Sequence, residues 1–469
     1  MVDAVVVGSG PNGLAAALTL ALAGLSVEVF EAAPTAGGGC RTEQLTLPGF
    51  VHDVCSAVHP MLAASPFFRE LALPGVRVLT PEVAYAHPLD GGRAAAIVRE
   101  VEDTAARLGR DRRRYEALMA PLVRDWQQVI DGALAPQRSL PRAPVAMVRF
   151  GLRSVWPARA VASMFSTDEA RAVLAGACAH SMQPLGAALT AGFGIVLGLL
   201  AHAVGWPVVE GGSARIAESL VIEIEACGGR VYTDARISDL SELPDARATL
   251  LDTSPRGLLE LAGDRVPTRI RSALERFRHG PGVFKLDWAL DGPVPWSAEA
   301  CRRTATVHVG GTLEEVARCE SEVACGRVPE QPFCIVVQPC VVDPSRAPAG
   351  KHTLWGYCHV PPGCPVDMTE AIEAQIERFA PGFRELVLAR AAEFPADVER
   401  RNPNYIGGDI NGGAATAWQT FFRPTVSWNP YRAGPPGVYL CSASTPPGGG
   451  VHGMCGVFAA RTALRDLRD

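Results

Sequence analysis

Apolar residues open the chain almost without a break from Val2 to Val7, give way to a glycine-containing turn, and resume from Leu14 to Ala23 in a run of helix length. A second short apolar stretch, Ser26–Phe30, follows at once, so the opening reads strand, helix, strand, the unit that builds parallel sheets. From Val98 to about Leu134 the pattern turns helical and charged, and from Pro141 to Val209 it continues as more apolar helical segments broken by prolines. GGSARIAESLVIEIEACGGRVYTDARISDL, residues 211–240, restores helix and strand around a Cys-Gly-Gly stop, and ATLLDTSP adds a buried strand. Between Gly282 and Val360 four short runs, VFKLDWAL, TATVHVG, FCIVVQP and TLWGYCHV, lie between Gly/Pro-rich loops and read as antiparallel strands of a second sheet. GVYLCSASTPPGGGVHGMCGVFAARTALRDL closes the chain as strand, glycine-rich turn and helix. The prediction is an α/β protein whose Rossmann-type domain is discontinuous, built from residues 1–80, 208–265 and 430–469. A second domain, 81–207 and 266–429, holds the antiparallel sheet and a helical insertion.

Gly8, Gly10 and Gly13 spell G-x-G-x-x-G between the first strand and helix, with Pro11 and Asn12 inside the turn. The first glycine permits the tight turn, the second lets backbone approach a pyrophosphate, and the third lets helix and strand pack closely. Glu31, 18 residues after Gly13 at the end of the second strand, is the acid expected to accept ribose hydroxyls. Together these residues point to a bound dinucleotide without saying which.

The next stretch, EAAPTAGGGCRTEQLTLPGF from Glu31 to Phe50, narrows the choice. A glycine doublet, Gly37 and Gly38, followed by Thr and then Pro-Gly-Phe, resembles the flavin-dependent phytoene desaturase-like and amine oxidase-like oxidoreductases. The resemblance implies FAD as the resident dinucleotide. It also implies contacts from Gly38, from Gly39 in the place of a frequent arginine, and from Arg41 two residues later reaching the pyrophosphate. In YLCSASTPPGGGVHGMCG, Tyr439–Gly456, the string Gly448, Gly449, Gly450, Val451 is similar to the family segment that brings a helix N-terminus to the flavin ring. Ser442 stands where a glycine is common, and Ile237 is placed near the adenine by the same analogy. GGDINGG, Gly407–Gly413, and FFRP, Phe421–Pro424, resemble further landmarks near the active site. The implied activity is C–H oxidation, a desaturation of a hydrophobic or partly hydrophobic substrate by hydride transfer to the flavin. Amine oxidation, redox-neutral isomerisation and a non-catalytic flavin-binding role remain open, because a fold does not decide among them.

Alternation in VFKLDWAL puts Val283, Lys285 and Asp287 on one strand face and Phe284, Leu286 and Trp288 on the other. Lys285 has two readings: a lysine holding a water at flavin N5, as in amine oxidase-like relatives, or the partner of Asp287 on a solvated face. His59, in CSAVHP, is a candidate to line the ring, against a structural histidine in an apolar loop. His202, Trp206 and Phe422 are candidates for the wall of an apolar substrate pocket, against ordinary core packing.

Composition removes several classes of function. Hydrophobic residues are 48% and charged residues 20% of the 469, a globular balance. With net charge −5 and no Lys/Arg run tracking a phosphate backbone, nucleic acid is excluded as an expected partner. Only two of the 44 basic residues are lysines, Lys285 and Lys351. Thirteen cysteines without a C-x-x-C pair or zinc spacing predict no metal site and no disulfide-reductase chemistry. They suit a reducing compartment, and with no secretory leader pattern the expected location is the cytoplasm. Pro184–Val209 is uncharged apart from His202 and is long enough for a membrane span, but its glycines and closing Trp-Pro favour a buried helix. A peripheral membrane contact there and the oligomeric state stay open. No second G-x-G-x-x-G follows a strand, so the electrons are expected to come from a small organic substrate and to leave to oxygen or a quinone.

Overall fold

The computed structural model describes residues 2–136 and 140–468. Five parallel strands form one sheet in the order Val438–Leu440, Ala246–Leu251, Val2–Val7, Val27–Phe30, Arg230–Tyr232. Its strands therefore come from three stretches far apart in sequence. Val2–Val7 is central, and Ala4, Val5 and Val6 have no solvent exposure, as a strand covered by helices on both faces requires. The helix Pro11–Leu22 starts with proline at its first position, and its buried Leu14, Ala16, Ala17, Leu18 and Leu20 share one core with Ile216, Leu220 and Ile224 of the helix Ala214–Ala226. The helix Met454–Asp466 packs against Pro11–Leu22 at Gly456, where a β-carbon would press into the Asn12 carbonyl.

The second sheet has seven strands in the order Val387–Glu393, Gly282–Leu290, His352–Val360, Cys334–Val337, Thr306–Val309, Val83–Leu89, Arg93–Val98. All pairings are antiparallel except that of Thr306–Val309 with Val83–Leu89. The α/β class with a parallel Rossmann-type sheet and a mostly antiparallel second sheet is thus as predicted. One face carries Phe284, Leu286, Trp288, Val336 and Cys358, which share a core with Ile372 and Ile376 of the helix Thr369–Phe379. The other carries Lys285, Asp287, Trp355, Tyr357 and His308, the alternation read from VFKLDWAL. This second face is buried: Lys285 is 4% exposed and Asp287 0%. The solvated-face reading of Lys285 is corrected on this point, because the sheet is covered on both sides.

The helical insertion runs from Val101–Arg107 to Thr190–Ala203. The apolar run at Pro184–Val209 supplies Thr190–Ala203, of 14 residues, whose Ile195, Leu199, Leu200 and Ala201 are buried in the insertion's core. At about 1.5 Å per residue it falls well short of a bilayer core. Among the described residues no helix is long and apolar enough to cross a membrane. The thirteen cysteines are all free thiols.

Candidate functional site

The register of the parallel sheet assembles the site. Val7 pairs with both Phe30 and Leu251, and Leu251 with Leu440, so the residues leaving four strands, Gly8, Glu31, Asp252 and Cys441, stand in a row along one edge. That carboxyl edge is where open parallel sheets bind ligands. Gly8 donates its N–H to the Phe30 carbonyl at 2.8 Å and has φ +96°, a conformation that strains any side chain. At Gly13 a β-carbon would collide with the Gly8 carbonyl and with Asp252, so the third glycine closes the turn onto the sheet.

Glu31 is buried and its carboxylate organises the surrounding loops. One oxygen accepts from the Ser9 N–H at 2.9 Å and the Ser9 hydroxyl at 2.6 Å; the other accepts from the Ala33 N–H at 2.8 Å and from Arg41 Nη2 at 3.4 Å. Arg41 is also buried and holds the Thr35 carbonyl through Nε at 3.2 Å and Nη2 at 2.9 Å. Its guanidinium is thus the ion-pair partner of Glu31 in this conformation. Asp252, not anticipated from sequence, caps the fingerprint helix: its Oδ2 accepts the Gly13 N–H at 2.9 Å. Burial pushes its carboxyl up to about 7, with the nearby Glu31 charge adding to the shift.

Around this edge lies a cavity of about 530 Å³, within the range of small-molecule and cofactor sites. Gly8, Gly10, Pro11, Asn12, Glu31, Gly38, Gly39, Arg41, Ile237 and Ser442 all line it. So do Asp252, Asn402, Tyr405, Ala443 and Ser444, which sequence reasoning did not single out. Asn12 Oδ1 is buried with no hydrogen-bond partner, an acceptor left for a ligand donor. Gly449, Gly450 and Val451 lie outside the lining. Gly449 packs on the Asn411 backbone, Gly450 on Met61 and His452, and Val451 against the core of the parallel sheet. The C-terminal string therefore meets the cavity through Ser442–Ser444, one turn ahead of its glycines.

A narrow recess of about 20 Å³ borders the cavity, sharing Gly38, Arg401, Asn402 and Tyr405 with it. Its wall includes Cys55, from the loop after the short strand His52–Asp53, Val283, Lys285, Trp355 and Tyr357 from the antiparallel sheet, and Ile410 from the loop that follows the sheet. Lys285 sits opposite Tyr357 and Glu393 in the sheet register, makes a short ion pair with Asp287, and lies 5.8 Å from the Trp355 ring centroid. Asp287 is pushed up to about 6 by burial, which the Lys285 charge only partly offsets. Lys285 is thus the partner of Asp287, as one reading has it, and lies buried at the recess rather than on a solvated face.

His59 is 1% exposed and lies outside both cavities. Its Nε2 is 2.9 Å from the Ser213 hydroxyl, and burial pushes the imidazole down to about 4. It belongs to a buried knot in which the Ser213 N–H reaches Asp53 and Arg346 ion-pairs with Asp53 and Asp343. His202 and Trp206 are also core residues: His202 meets the Tyr115 hydroxyl at 2.8 Å, and Trp206 donates to Thr306 at 3.0 Å. Phe422 packs at 4.3 Å, centroid to centroid, on Trp418 of its own helix, Ala417–Phe422. None of the three borders either cavity. Among the described residues no cluster of His, Cys, Asp or Glu has metal-ligating geometry.

Residues 6–71 match the family described as NAD(P)-binding Rossmann-like domain. A mouse protein named pyridine nucleotide-disulfide oxidoreductase domain-containing protein 2 is 25% identical over all of this chain and 94% of its own length. The phytoene desaturase (lycopene-forming) of Pseudescherichia vulneris is 23% identical over 53% of this chain and 48% of its own. Among solved structures, wild-type putrescine oxidase bound to putrescine superposes with a TM-score of 0.62 at 17% identity, covering 100% of this chain and 99% of that one. With the fingerprint, the carboxyl-edge cavity and the two-sheet architecture in hand, the chain carries a Rossmann-like nucleotide-binding segment, is similar in sequence to a phytoene desaturase and shares the fold of putrescine oxidase.

Proposed function

We propose that the cavity holds FAD and that the protein oxidises a C–H bond of a hydrophobic or partly hydrophobic organic substrate presented at the Lys285 recess. The observation that supports it best is the adjacency of the two spaces, which share Gly38, Arg401, Asn402 and Tyr405: the glycine fingerprint with Glu31 on one side, and a buried lysine among aromatic rings on the other. FAD would be held by the Gly8–Gly13 turn, Glu31, Asn12, Ile237 and Ser442, and when bound it supplies hydride acceptance. The chain's own residues supply position and field. Glu31 and Asn12 offer acceptors to cofactor hydroxyls, and the pyrophosphate meets the N-terminus of Pro11–Leu22. Lys285 places a fixed charge in the recess, and the Trp355, Tyr357 and Tyr405 walls exclude water from it. Oxygen or a quinone is the acceptor, a reading supported by the absence of a second nucleotide fingerprint from the sequence.

The aromatic wall beside Lys285 also favours amine oxidation as a second reading. An anaerobic screen of hydrophobic alkenes, alcohols and amines, monitored by bleaching of the flavin absorbance, separates the two. Bleaching by unsaturated or alkyl substrates alone supports the first, and bleaching by amines alone replaces it with the second. A protein that refolds without retaining FAD overturns both.

A further inference from the structure

The helix Pro144–Ser154 turns Ala146 and Ser154 into the insertion's core and packs Phe150 against it. It is apolar on its outer side as well. Val145 is 71% exposed, Val148 61% and Leu152 67%, followed by Val155 at 47% and Trp156 at 56%. These positions recur at three- and four-residue steps and so form one stripe. Leu140 at 94% and Met164 at 57% lie on the flanking segments. Single exposed apolar residues are ordinary on a protein surface, but seven within 25 residues are not.

The charge of the same segment is equally one-sided. From Gly132 to Thr167 the sequence holds five arginines, Arg138, Arg142, Arg149, Arg153 and Arg159, and no acid, in a chain with net charge −5. Arg142 and Arg159 are exposed. Arg149 ion-pairs with Asp125, which offsets one of the five charges and leaves the segment positive. A second copy meeting this stripe through a two-fold axis would set arginines against arginines. The helix is only 11 residues long, too short to span a bilayer but suited to lie along its surface.

We propose that this stripe docks the protein on an anionic lipid bilayer. Val145, Val148, Leu152 and Trp156 enter the headgroup boundary while Arg142 and Arg159 meet lipid phosphates. The surface is distinct from the Pro184–Val209 run, whose helix Thr190–Ala203 lies beneath it. The proposal stands whether or not the redox reading does.

Flotation of the full-length protein with phosphatidylcholine vesicles, with and without phosphatidylglycerol, tests it. The wild-type protein is expected to float with the anionic vesicles, less so as salt rises, and to stay behind with the neutral ones. A V148E/L152E variant, changed at exposed positions, is expected to lose at least about tenfold in partitioning with its thermal melt unchanged, since each substitution puts a charge at the apolar boundary. R142Q/R159Q, which leaves the stripe itself intact, is expected to lose about fivefold per arginine. Equal partitioning of all three proteins overturns the proposal, as does absence of wild-type binding to anionic vesicles. Sedimentation showing a wild-type dimer that V148E/L152E dissociates assigns the stripe to a second copy instead, and equally overturns it.

Discussion

Asp252 sets an acid where an anionic cofactor group is expected, on the amide groups that open the fingerprint helix. Glu31, Tyr405, Cys441 and Cys455 are the titratable groups that couple to it, and none is a cation. With the carboxyl pushed up to about 7 by burial, its neutral form prevails below that pH and its anion above. Negative charge beside a pyrophosphate is repulsive, so FAD affinity is expected to fall as pH rises through about 7, by up to about tenfold per unit. Titration of refolded apoprotein at a series of pH values measures this, and Asp252→Asn is expected to flatten the profile. A wild-type profile that is already flat would show that Asp252 stays neutral or moves aside.

Glu31→Gln removes charge from four hydrogen bonds at once and leaves Arg41 without its acid, so FAD retention should weaken by about 1.5–3 kcal/mol. Unchanged affinity would place the ribose elsewhere. Lys285→Met has two separable effects. In stopped-flow it should slow reoxidation by oxygen while leaving the substrate half-reaction largely intact, because a fixed positive charge assists a neutral acceptor that becomes anionic. It also leaves Asp287 buried without its cation. The Asp287 carboxyl already titrates above its unfolded value, so losing Lys285 raises it further and the neutral form prevails at low pH. The stability gap between wild type and variant should therefore widen from pH 5 to pH 8 in thermal melts, and a pH-independent gap would contradict the ion pair.

At the scale of elements, legibility followed the reach of the local signal. Strand, glycine turn and helix at Val2–Leu22 were readable because apolar runs and glycine punctuation specify them without outside help. The hairpin Val83–Leu89 and Arg93–Val98 was not read. Its strands, VAYAHPL and RAAAIV, are rich in alanine and carry a proline, so only the Asp90-Gly91-Gly92 turn marks it, and pairing with Thr306–Val309 settles the rest. That Gly8, Gly10 and Glu31 would lie together was legible for the same reason, Glu31 following the turn by a fixed interval, and all three line one cavity. The recess was not: Tyr405 and Trp355 arrive from distant segments, and nothing local separates His202 or Trp206 in a core from the same residues around a ligand. Asp252 left one usable signal, as the first residue after a parallel strand. The knot at Asp53, Ser213 and Arg346 joins three elements that share no regular pairing. Arg346→Met strands the buried Asp53 and Asp343 and should cost about 3–5 kcal/mol in denaturant unfolding.

For the whole molecule, the two sheets meet at the cavity, with one furnishing the nucleotide-binding edge and the other the recess. Electron supply through a bound organic substrate predicts that anaerobic NADH or NADPH leaves the flavin oxidised over minutes, and rapid bleaching by either would reverse that conclusion. The parallel sheet has a further consequence for how the protein matures. Val2–Val7 is flanked by Ala246–Leu251 and the sheet is completed by Val438–Leu440, so the fingerprint is synthesised before two of the strands that border its cavity. During synthesis the Gly8–Gly13 turn has no ligand-ready partner until Val438–Leu440 has been made, so a dinucleotide is expected to load only after that strand has joined the sheet.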